Sequence, residues 1–199
     1  LNPNTVFDRQ SYFGGIFSFI LDTRNNKVLP EKGIHWTNNV RFWNGLKGDS
    51  YDGVTQVNSD FAFYLNVLPN HLVLANRTGG GATLGQNGFE FFQAQYLGNN
   101  DNLRGYRRER FAGKYKFYNQ TDLRLKIADF KTYLFPGSIG LVGFFDVGRV
   151  WVENDNVEKM ATGYGIGLWF SPLRRLNFTF NYAMSKEDKL PLVTMGWRF

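Results

Sequence analysis

The sequence predicts an all-β chain of antiparallel strands arranged as a barrel. Three observations carry this: a two-residue hydrophobic period along most of the chain, the near absence of a helical stripe, and one large aromatic face set against a charged one. Regular strands need that period because successive side chains point to opposite faces.

Taken in order, about nine strands emerge. The first covers 11–22. In the second, Ile34, Trp36, Val40 and Phe42 oppose His35, Thr37, Arg41 and Trp43. In the third, Phe61, Phe63, Leu65 and Val67 oppose Asp60, Ala62, Tyr64 and Asn66. A fourth covers 70–78. Then Tyr115, Phe117, Leu123, Leu125 and Ile127 oppose Lys114, Lys116, Asp122, Arg124 and Lys126, and a further strand covers 137–151. Tyr164, Ile166, Leu168 and Phe170 alternate with Gly163, Gly165, Gly167 and Trp169. Each Gly would weaken a helix by ~1 kcal/mol, so only a strand fits, with one face left bare for something to lie against. Leu176, Phe178, Phe180 and Tyr182 oppose Arg175, Asn177, Thr179 and Asn181. Val193, Met195, Trp197 and Phe199 oppose Thr194, Gly196 and Arg198.

The connections come in two sizes. Leu68-Pro69-Asn70 and Ser171-Pro172-Leu173 read as tight turns, with Pro where a ladder must break. Gly45 to Gly53, Glu153 to Lys159 and Ser185 to Lys189 read as longer polar loops. One segment is out of scale. From about 79 to 113 a triple glycine precedes an aromatic cluster (Phe89, Phe91, Phe92, Tyr96) and a dense basic run, and a connection of that length has a task of its own.

Composition bounds the function. The chain has 199 residues, 43% hydrophobic and 18% aromatic, enough to rule out disorder. Without Cys there is no disulfide framework, thiolate metal site or cysteine nucleophile. No apolar run approaches the ~20 residues of a spanning helix, a fact that leaves membrane strands untouched. His35 and His71 have no partner at metal-ligand spacing, and Asp60, Asp122 and Asp146 are too scattered for a catalytic pair. Gly79-Gly80-Gly81 lacks the Lys-Ser/Thr of a phosphate loop and reads as a flexible loop. A net charge of +6 would suit nucleic acid, but the basic run 104–110 lacks interleaved aromatics. The expectations are therefore no catalytic residues, no metal, no cofactor and no nucleic acid.

Charges on one face and aromatics on the other suit a membrane barrel with a polar lumen. Period alone also allows a soluble barrel whose charges face water and whose interior binds an apolar ligand. Arg104 could be one solvated arginine among Arg107, Arg108 and Arg110, and Asp146 could pair with Lys126 or Arg149.

Three patterns then coincide. Leu103-Arg104-Gly105-Tyr106 sits in the long loop, Phe144-Phe145-Asp146-Val147-Gly148 lies on a strand, and the chain ends Gly196-Trp197-Arg198-Phe199. Together they resemble the BamA/TamA-type surface-antigen superfamily of outer-membrane barrels, over roughly residues 11–199. Asp22-Thr23-Arg24 followed by Pro30 and Gly33 also resembles that family's periplasmic turn.

The resemblance implies an antiparallel transmembrane β-barrel in the bacterial outer membrane. It makes residues 1–199 one barrel domain, or the C-terminal part of a sixteen-stranded barrel, with the loop at about 79–113 folded into the lumen. It sets Arg104, with Gly105 and Tyr106, against Asp146 on the strand carrying Phe144 and Gly148. Asp122 is a second acceptor standing where the family often has Glu, and its shorter reach leaves a direct contact open. Charge-assisted hydrogen bonds suggest about 1–3 kcal/mol for this contact. Gly196, Trp197 and Phe199 would form a terminal assembly signal. The implied role is insertion of outer-membrane proteins or polypeptide translocation, with no chemistry. Its partners would be outer-membrane lipid, unfolded outer-membrane proteins and periplasmic assembly domains. An alternative implied by the family is a membrane anchor for an amino-terminal hydrolase.

Overall fold

Nine strands, hydrogen-bonded to their neighbours in chain order, form one antiparallel sheet in the computed structural model. The structure describes residues 11–46, 53–85, 89–99, 101–131, 136–152, 159–173 and 175–197. The strands are β1 (Tyr12–Asp22), β2 (Gly33–Gly45), β3 (Val54–Leu68) and β4 (Leu72–Leu84), followed by a small hairpin of β5 (Gln95–Leu97) and β6 (Phe111–Gly113). The large sheet resumes with β7 (Tyr115–Lys131), β8 (Pro136–Trp151), β9 (Ala161–Pro172), β10 (Phe178–Ser185) and β11 (Lys189–Met195). Among the described residues β1 pairs only with β2 and β11 only with β10, so both are edges.

The two faces differ in chemistry as the period requires. One displays Phe17, Phe61, Leu65, Leu123, Leu141, Phe145, Ile166, Leu168, Phe180 and Val193, all exposed. A continuous apolar surface of this extent marks contact with a partner or a membrane. The opposite face buries Gln56, Gln120, Asp122, Arg124, Asp146 and Thr179, together with Ala75, Val142 and Trp169. Its core is therefore largely polar.

At one end of the sheet, two connections among the described residues are held by specific bonds. Asn70 takes a left-handed φ of 64°, and His71 N–H donates to Leu68 O at 2.9 Å. The β1–β2 turn is held by Arg24, whose Nε and Nη2 donate to the two Asp22 carboxylate oxygens at 2.9 and 2.8 Å. Gly33 closes that turn at φ 111°, and a Cβ there would lie 2.5 Å from Thr23 O. The described strands agree with those read from the period, with three differences.

Gly79-Gly80-Gly81 is strand, paired with Asp60-Ser59-Asn58 on one side and Tyr118-Phe117-Lys116 on the other. Tertiary packing overrides the low strand propensity of Gly. The Tyr118 ring and Asp60 carboxylate fill the space over Gly79, and the Asn58 and Gln95 side chains fill that over Gly81. The excursion from the sheet consequently runs from Gly85 to Lys114, not from 79.

The last strand ends earlier than the alternation predicts. Gly196 takes φ 88°, which breaks the strand after Met195, and its N–H donates to Asn177 O at 2.6 Å. Ser185 to Lys189 is a tight turn, not a long loop, closed by Ser185 N–H to Asp188 O at 2.9 Å. Phe199 lies outside the described residues, as do 47–52 and 153–158 of the two other predicted loops.

Candidate functional site: an excursion held on the polar face

Between β4 and β7 the chain leaves the sheet and folds back over its polar face. The β5–β6 hairpin, paired Gln95↔Gly113 to Leu97↔Phe111, forms its stem. At the tip, Leu103 N–H donates to Asn99 O at 3.1 Å and Asn99 N–H to Tyr106 O at 3.0 Å. These bonds close a tight loop that pushes Leu103 and Arg104 into the sheet, where both are buried.

Arg104 meets two carboxylates there. Its backbone N–H and its Nε donate to Asp146 Oδ2 at 2.9 and 2.7 Å, and Nη2 donates to Asp146 Oδ1 at 2.5 Å. Nη2 also donates to Asp122 Oδ1 at 2.7 Å. The shorter side chain at 122 thus reaches, because β7 and β8 bring the two carboxylates together across the register Asp122↔Phe144 and Gln120↔Asp146. The side chains are 8% exposed for Arg104, 2% for Asp122 and 0% for Asp146. Burial alone would weaken the arginine's hold on its proton, but the two carboxylates outweigh that and raise its pKa above the ordinary arginine value. A planar guanidinium in a fork with one carboxylate and a single bond to another gives orientation as well as attraction.

The surroundings complete the seat. The Arg104 guanidinium carbon lies 3.9 Å from the centroid of the Phe144 ring, a cation–π contact in a desolvated site. Gly148 leaves room for Leu97, whose Cδ1 would stand 3.1 Å from any Cβ added there. The bare face of β9 is used as well. The Arg104 carbonyl oxygen lies directly against Gly163, where any Cβ would clash with it. Gly105, at φ 88°, packs on Met184, and Tyr106 donates its hydroxyl to Thr162 O at 3.3 Å. The seven predicted contact residues therefore come together. Trp197, predicted as part of a terminal signal, lies away from this contact, towards the end of the polar face where β10 begins. Its ring is 3.8 Å from the Arg124 guanidinium carbon and 6.3 Å from the Trp169 ring.

A second anchor escaped the sequence reading. Arg77 on β4 donates through Nε and Nη2 to Asp60 Oδ1 at 3.1 and 2.9 Å and through Nη1 to the excursion's Asp101 O at 2.8 Å. Tyr118 donates its hydroxyl to the same Asp60 oxygen. The available signal was an opposite-charge pair on the same face of consecutive strands.

A sheet that is apolar outside and polar inside, with a charged excursion seated on the inner face, is the wall of an outer-membrane barrel. The family model described as the Omp85 superfamily domain matches residues 8–199, and the chain belongs to that superfamily of the bacterial outer membrane. It is 29% identical over 188 residues to an outer membrane protein assembly factor BamA of Nitratidesulfovibrio vulgaris. That match covers 84% of this chain and 22% of the relative, so the chain spans about a fifth of that relative's length. Its fold is similar to the crystal structure of BamA from Haemophilus ducreyi lacking POTRA domains 1–3, with a TM-score of 0.70 and 17% identity. That likeness covers 92% of this chain and 42% of the other. Neither the hydrolase-anchor reading nor the soluble-barrel reading finds support in these comparisons.

Proposed function

We propose that this chain is the C-terminal part of a barrel that inserts outer-membrane proteins, with β11 as the strand along which the barrel wall opens. The observation that carries the reading is the weakness of β11. It has 7 residues where β7 has 17, and it ends at a glycine of positive φ. An exposed strand edge is a template for an incoming strand, and main-chain hydrogen bonds supply affinity without sequence specificity. The residues predicted as the terminal signal, Gly196, Trp197 and Phe199, would then mark the seam.

In the same reading, the excursion lies within the lumen and Arg104, Asp122 and Asp146 hold it there. Its clients would be unfolded outer-membrane proteins, delivered by periplasmic assembly domains. The passage of a polypeptide through the lumen is the less favoured role, because the buried excursion occupies part of that path.

Photo-crosslinking tests the proposal. The full-length protein in liposomes carries a photoreactive residue at Leu192 of β11, or at Ile166 of β9, and is mixed with an unfolded outer-membrane protein. Crosslinks from β11 alone are expected. Equal yields from both positions, or none from β11, would overturn the seam.

A further inference from the structure

Past Arg104 the excursion continues over a different part of the wall, the turn that joins β10 to β11. Gly105 passes so close to Met184 that an added Cβ would lie 2.9 Å from its carbonyl oxygen, and Ser185 Oγ donates to Gly105 O at 2.7 Å. Two ion pairs follow. Arg107 Nε donates to Asp188 Oδ2 at 3.0 Å. Arg110 grips Glu187 in a fork, Nε to Oε2 at 2.7 Å and Nη2 to Oε1 at 3.1 Å. The main chain arranges both arginines for this, because Arg110 N–H donates to Arg107 O at 3.2 Å across a turn in which Glu109 takes φ 54°. The turn on the other side is equally set: Ser185 Oγ accepts from the N–H groups of Glu187 and Asp188, each at 3.1 Å.

We propose that Gly105–Arg110 is a clasp on the β10–β11 turn, and that Arg107, Arg110, Glu187 and Asp188 are positioning residues that set how firmly β11, the strand bordering the seam, is held in the wall. The clasp gives β11 a hold that does not run through its own ladder. It also ties the excursion to the terminal hairpin, so release of one loosens the other. The inference deepens the seam reading and draws its functional meaning from it. Each ion pair is solvent-exposed and worth little alone. Joined to each other and to the close backbone contact at Gly105, they act together, and their exposure makes the clasp sensitive to salt.

Hydrogen exchange of the full-length protein in lipid nanodiscs tests this, with no client present. The double variant E187K/D188K should raise exchange of the β11 amides about fivefold to tenfold, the scale of two exposed pairs turned repulsive, and leave β2 and β3 unchanged. Adding R107E/R110E should restore protection, because the pairs re-form with their signs exchanged. Raising salt should speed β11 exchange in the unaltered protein and slow it in E187K/D188K, so the two converge. Unchanged β11 exchange in E187K/D188K, or a rise that the reverse charges fail to repair, would overturn the clasp. Because the readout needs no client, it can fail while the crosslinking result stands, and the reverse.

Discussion

The carbonyl oxygen of Arg104 rests against the α-carbon of Gly163, so the excursion and the sheet meet there main chain to main chain. A methyl group at 163 would stand inside that oxygen. Gly163→Ala should therefore lift the tip at a cost of about 1–3 kcal/mol, the range of overpacking. Protease cleavage within 101–113 of the folded barrel is the measurement. Gly143→Ala on β8, where an added Cβ meets nothing within 4 Å, should leave cleavage unchanged.

Truncating the arginine should do more. Arg104→Ala leaves Asp122 and Asp146 buried, side by side, with their main counter-charge gone. Breaking a buried pair this way costs about 3–5 kcal/mol, above the 1–3 kcal/mol suggested by the hydrogen bonds alone. Arg104→Lys keeps the charge but loses the fork, and should fall between the unaltered protein and the alanine variant. Loop proteolysis and the heat-induced gel shift of the barrel would rank the three.

The two carboxylates are unequal. Asp146 accepts from the backbone, Nε and Nη2 of Arg104, whereas Asp122 accepts one Arg104 bond and shares itself with Arg124 Nη2 at 3.1 Å. Asp146→Asn should free the excursion more than Asp122→Asn does, read by exchange of the 101–106 amides. Equal effects would mean that the guanidinium charge, not its orientation, sets the contact.

In the proposed barrel the exposed apolar face would meet lipid. Ile166→Lys, in the middle of that face, should cost about 2–4 kcal/mol in a bilayer. Asn39→Lys on the polar face should cost less than about 1 kcal/mol. Unfolding in urea from liposomes would show the asymmetry. A soluble protein would show it reversed.

Most of the wall was legible because it depends on period, whereas the central contact was expected only from the resemblance carried by Leu103-Arg104-Gly105-Tyr106 and Phe144-Phe145-Asp146-Val147-Gly148. Two-residue alternation places Asp122, Phe144 and Asp146 on one face, and the glycines of β9 announce an occupant without naming it. Four things were not legible. The glycine triplet reads as a loop because propensity is local, while the Tyr118 ring and Gln95 amide that fill its surface come from far along the chain. The reach of Asp122 depends on strand spacing and register, which no single strand encodes. The Arg77–Asp60 anchor was passed over because charges on a lumen face are common, and nothing in composition says which of them also meets a loop. The end of β11 at Met195 turns on one backbone angle at Gly196.

The ties of the excursion have an order in time. Measured along the chain, those of Arg104, Gly105 and Tyr106 connect partners separated by 18, 42, 56 and 80 positions, on β7, β8, β9 and the last residue of β10 in succession. Every one of those seats is synthesised after the excursion itself. A chain that adds strands in sequence would hold the tip of the excursion only through Arg77 of β4 until β7 arrived, and would fasten the tip one tie at a time thereafter. Closure entropy rises only slowly with span, so the later ties add hold at small extra cost. The finished barrel would thus be the first state in which the tip is fully secured, and a chain arrested before β10 would be recognisable by a loop still open to protease.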